Sequence, residues 1–182
     1  MGLLSELGSM LNGQDAQRMA AGQGNFQDPN SPDMQQLQRV LPQADQGELS
    51  QVFSHAAQQM NPQEYADHVT PGAGGTNPLG SVGKGGLATI ASALMQHLSG
   101  GGLAGNLLNR ITGLRTTDPQ QMDENQVAAL SRYTQQNHPD IFGRAAAQIG
   151  QQKPDLLHSF LGKAGLAIGA AALAKHFLGP RA

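Results

Sequence analysis

The chain has 182 residues, no cysteine and a formal net charge of −2, with 13% charged and 4% aromatic side chains. Disulfides, thiolate metal sites and cysteine nucleophiles are thereby excluded, and no Lys/Arg cluster supplies the electrostatic footprint of a nucleic-acid binder. A chain so rich in Gly, Ala and Gln and so poor in aromatics suits helices packed through small side chains, and the expected fold class is all-α.

The opening "MGLLSELGSMLNG" predicts a short amphipathic helix over residues 1–12, with Leu3, Leu4, Leu7, Met10 and Leu11 at helical spacing. It lacks the basic n-region and the h-region of a secretory signal, and Glu6 stands where myristoylation requires Ser or Thr. A cytoplasmic location is the expectation. Residues 14–33 are rich in Gln, Gly, Asn, Asp and Pro, the composition of an extended arm that orders against a partner surface.

"SPDMQQLQRVLP" predicts a short helix begun by Ser31 and Pro32 and stopped before Pro42. "GELSQVFSHAAQQMNPQEYADHV" predicts a longer helix that Pro62 restarts or kinks. "TPGAGGTNPLGSVG" has every local mark of a linker. An apolar helix over 83–100 follows, "GKGGLATIASALMQHLSG", then another over 103–114 with Leu103, Leu107, Leu108, Ile111 and Leu114 on one face. From Asp118 the plan restarts as helix, proline, helix, with Pro139 in the part of Pro62, and "KPDLLHSFLG" leads into a last apolar helix, "GKAGLAIGAAALAKHFLG".

Two stretches recur in the same order. "QQMNPQEYA" corresponds to "QQNHPDIFG" at an offset of 77 residues, and the two Gly-Lys helices correspond at an offset of 79. A tandem duplication is expected, giving a pseudo-twofold pair of helical units: 1–33 as N-terminal helix and arm, 34–115 as the first unit, 116–182 as the second. The stripes Leu87, Ile90, Ala91, Leu94, Leu98 and Leu166, Gly169, Ala170, Leu173, Phe177 are the expected interface between the twin helices. Exchange of Ile90 for Gly169 and of Leu98 for Phe177 suggests a knob-and-hole fit.

Candidate chemistry is sparse. The Gly-Lys pairs invite an anion at a helix start, but Pro78 and Leu157 replace the first glycine of a P-loop, and Gly85 and Ala164 replace its Ser/Thr. His97 and His176 are related by the repeat and lie at the edge of the packed face, without a repeated carboxylate. "EYADH" sets Glu64 and His68 at i and i+4, but its counterpart from Ile141 to Ala145 carries neither group. No catalytic residue, metal ligand or cofactor is assigned, and Asp45, Glu48, Asp118, Asp123 and Glu124 read as helix-start residues.

The opening "MGLLSELGSMLNG", with the Gly-interrupted apolar helices and Gln-rich stretches after it, resembles the YidB-like group of uncharacterised bacterial helical proteins. That resemblance implies a bacterial origin and a non-enzymatic helical fold. The expected function is a non-catalytic interaction or structural subunit, with Leu3, Leu4, Leu7 and Leu11 docking on a protein partner or a second copy. A peripheral membrane-surface protein is the alternative and a metal-binding enzyme the third. The run "AGLAIGAAALA" is too short to span a bilayer, which needs roughly 20 apolar residues.

Overall fold

Side-chain caps set several of the helix starts. A computed structural model of the chain describes Asn25, Asp28 and residues 30–71, 78–100, 110 and 118–178, and everything below concerns these. Ser31 caps α1 (Pro32–Val40), its hydroxyl accepting from the Met34 amide at 3.2 Å, and Pro32 occupies the first turn, where a missing N–H costs nothing. Asp45 caps α2 (Gln46–Gln59) through the Gly47 and Glu48 amides, and Asn61 caps α3 (Pro62–Val69). Asp123 and Gln126 close a reciprocal capping box at the start of α6 (Glu124–Asn137). Pro139 opens α7 (Pro139–Gln152), so both prolines flagged in the sequence separate helices rather than kink one.

The stretch expected to be a linker contains a short helix, α4 (Pro78–Ser81), whose Pro78 and Leu79 are buried. Local Gly/Pro signals miss it because Leu79 is held by tertiary burial. After it runs α5 (Gly83–Gly100), and α8 (Leu157–Leu178) closes the described chain. The fold is all-α, with eight helices and three short 3-10 turns among the described residues. The helix expected over 103–114 lies outside them, apart from helical Arg110.

One contiguous core draws on every helix from α1 to α8, with Phe53, Phe142 and Phe160 its largest fully buried side chains. The closest pairing sets α2 against α7 in antiparallel sense: Gln151 donates to the Ala44 carbonyl at one end, and Ser54 faces Asp140 at the other. Gly143 permits this approach, since a Cβ there would collide with the Ser54 backbone and lie 2.6 Å from the Ser50 carbonyl.

The other packing follows a reciprocal pattern. Helix α3 lies on α6, α8 on α2 and α3, and α5 on α6 and α7. This corrects the expected twin interface. Leu87, Ile90, Ala91, Leu94 and Leu98 are buried, as are Leu166, Gly169, Ala170 and Leu173, but α5 and α8 do not form a packed pair among the described residues. Each stripe faces helices of the other half. The space expected to admit Ile90 at Gly169 is filled by the Phe53 ring of α2, which would lie 3.0 Å from a Cβ at Gly169. Amphipathic periodicity identifies a buried face but not its partner. The Phe177 side chain lies outside the described residues.

Candidate functional site

Two glycines have positive φ among the described residues: Gly83 at 64° and Gly162 at 68°. Each stands one residue before the lysine of a Gly-Lys pair, where the chain turns sharply into an apolar helix. At Gly162 ψ is 178°, a combination that only glycine adopts readily, and it kinks α8 between Leu161 and Lys163.

The kink forms one wall of a cleft of about 260 Å³, and α3 forms the other. Leu161, Gly162, Lys163 and Ala164 line the first wall; Met60, Glu64, Asp67 and His68 lie on the second. The His68 ring packs on Gly162 so closely that a Cβ there would lie 2.7 Å from His68 Cδ2. His68 Nε2 is buried without a hydrogen-bond partner. Burial holds the imidazole below its ordinary pKa, opposed in part by hydrogen bonding with the Ser159 backbone and aided by the Lys163 charge, so the neutral ring is favoured at pH 7.

Behind the cleft Tyr65 is fully enclosed. Its phenol donates to the Phe160 carbonyl at 2.9 Å, and burial pushes its pKa far above the ordinary value. Its ring meets Phe142 edge-on at 5.3 Å, and Phe142 stacks on Phe160 at 4.6 Å. This aromatic row fixes α3, α7 and the first half of α8 relative to one another.

A second, more open depression of about 670 Å³ runs along the outer side of the α2–α7 crossing. Gln46, Gln51, His55 and Gln58 of α2 border it, with Asp140 and Arg144 of α7 opposite. His97 of α5 stands at its edge. Its Nε2 lies 3.1 Å from the Gln148 amide oxygen, and Gln148 in turn donates to Gln96 at 3.0 Å. Burial lowers the His97 pKa, partly offset by the Gln148 contact. The His176 side chain lies outside the described residues.

Among the described residues, no three His, Asp or Glu side chains are grouped closely enough to hold a metal ion. The docking leucines Leu3, Leu4, Leu7 and Leu11 lie outside the described residues. The end of the expected arm is anchored: the Asn25 amide donates to Asp33 Oδ2 at 2.7 Å, and Ser31 Oγ donates to the Asn25 carbonyl. The stretch 154–173 is apolar enough to cross a membrane by length and composition, yet 61% of its most apolar window is buried within the protein and the helix is broken at Gly162.

"EYADH" and the second Gly-Lys pair lie far apart along the chain, and folding brings the two together. No family model, curated protein or solved structure matches the chain.

Proposed function

We propose that the chain is a non-catalytic binding subunit of a bacterial protein assembly, built from two duplicated helical units. The depression along α2 carries this reading. Its border is polar, with Gln46, Gln51 and Gln58 beside Ser50, Ser54, His55 and His97 and with one acidic and one basic side chain, and from Gln46 to Gln58 it follows roughly 18 Å of helix. That length accommodates about five residues of extended chain, whose peptide groups glutamine amides can both donate to and accept from. The Asn25 amide is held by Asp33 at the start of α1, and the N-terminal leucines are the second element of the proposed partner surface.

Three observations favour the duplication. The positive-φ glycines fall at repeat-equivalent positions, and Tyr65 and Phe142, also equivalent, touch one another. The helix contacts come in exchanged pairs: α2 with α7 and α6 with α3, α2 with α8 and α6 with α5, α3 with α8 and α7 with α5. Such reciprocity is what a pseudo-twofold axis between the halves generates.

The test is recovery of the full-length chain from its own cells with whatever co-purifies in stoichiometric amount, repeated with Arg144→Glu and Leu7→Glu at unchanged helical content. A partner lost in either variant supports the proposal. A partner retained by both, or a chain recovered alone, overturns it. Lipid-dependent flotation abolished by Leu7→Glu would instead favour the membrane-surface alternative.

A further inference from the structure

The cleft between α3 and the α8 kink joins core side chains at its base to charged side chains at its rim. Its charges sit oddly for a structural feature. Glu64 and Asp67 project from one wall and Lys163 from the other, and neither Glu64 nor Lys163 makes an ion pair with a described residue. Asp67 accepts only a surface amide hydrogen bond from Gln63, at 3.2 Å. Between these walls the lining turns apolar, with Met60, Leu161 and Ala164.

A comparison between halves, which rests on the duplication reading, sharpens the point. The positions equivalent to Glu64, Asp67 and His68 are Ile141, Arg144 and Ala145, whereas Lys163 is matched by Lys84. The scaffold elements are repeated and the carboxylates are not. Inheritance therefore explains the glycine and the lysine, but not the acidic wall that faces them.

From this arrangement we infer that the cleft binds a small zwitterion, an α-amino acid with an apolar side chain. Its ammonium lies toward Glu64 and Asp67, its carboxylate toward Lys163, and its side chain against Met60 and Leu161. A ligand of a single charge leaves the opposite wall uncompensated as water is displaced, which costs free energy that a zwitterion recovers. The volume of about 260 Å³ is below the usual range for drug-sized ligands and suits a metabolite of this size. Neutral His68 at the end of the cleft adds no competing charge at pH 7. The site is separate from the α2 depression, so loss of amino-acid binding and loss of a protein partner are read independently.

The experiment is calorimetric titration of the full-length protein with L-leucine, alongside isopentylamine, which lacks the carboxylate, and 4-methylpentanoate, which lacks the ammonium. Saturable binding of L-leucine alone is expected, with affinity falling at least about tenfold in Glu64→Gln and in Lys163→Gln and unchanged in Lys84→Gln. Glu64, Lys163 and Lys84 are exposed, so these variants keep the fold, which far-UV circular dichroism verifies. No heat with L-leucine or L-methionine, equal binding of either single-charge analogue, or binding indifferent to both cleft substitutions overturns the inference.

Discussion

Gly162 and Gly83 share a positive φ but not an environment, and this separates two costs that usually travel together. At Gly83 a Cβ meets nothing within 4 Å, so Gly83→Ala carries only the conformational penalty, about 1–2 kcal/mol. Gly162→Ala adds a collision with the His68 ring and should cost about 2–4 kcal/mol in urea unfolding. Part of that loss should return in the double variant with His68→Ala. His68 also makes stability depend on pH. Because burial depresses its folded-state pKa below that of the unfolded chain, its contribution is complete above roughly pH 6.5 and is lost as pH falls through that value toward the folded-state pKa. Urea midpoints should therefore drop between roughly pH 7.5 and pH 5, and His68→Gln should flatten the dependence. His97 acts in the same sense and accounts for part of what remains.

Helix starts and crossings respond differently to substitution. Asp123→Ala opens the capping box and should lower stability by about 1 kcal/mol, because the Gln126 amide loses its carboxylate partner but regains water. Gly143→Ala has no such relief. The added methyl meets backbone atoms of α2, so the helices must part along the tightest pairing in the molecule, at about 1–3 kcal/mol. Comparison of the two variants by denaturant unfolding tests this ordering. The buried Gln135 contributes here as well, donating to the Ala57 carbonyl at 2.9 Å and so tying α6 to the exposed end of the α2 ladder.

The exchanged packing leaves neither half with a core of its own. Every long helix of the first half is covered by helices of the second, so removal of one half would expose the apolar stripes of the other. A single cooperative transition is expected, with amide protection in α2 and α5 disappearing at the same urea concentration as protection in α7 and α8. Hydrogen exchange followed by mass spectrometry reads this directly. Separate transitions would show that the halves fold as independent units.

Helix-forming composition, prolines at first turns, and Asp or Ser caps act over a few residues, and for that reason the all-α class, the breaks at Pro62 and Pro139 and the start residues Asp45 and Asp123 were legible in the chain alone. So was the buried side of each apolar helix, since periodicity records which face avoids water. The partner of that face was not, because burial is non-directional: the Leu87 and Leu166 stripes are satisfied by any apolar surface, and chain connectivity led them to the opposite half instead of to one another. The cleft was half visible. Glu64, His68 and the Gly-Lys pair each drew notice, but Lys163 stands 99 residues beyond Glu64, and no local rule links them. They meet because Gly162 turns α8 across α3 and the Tyr65–Phe142–Phe160 row holds it there, a long-range packing decision that the spacing of residues along the chain does not encode.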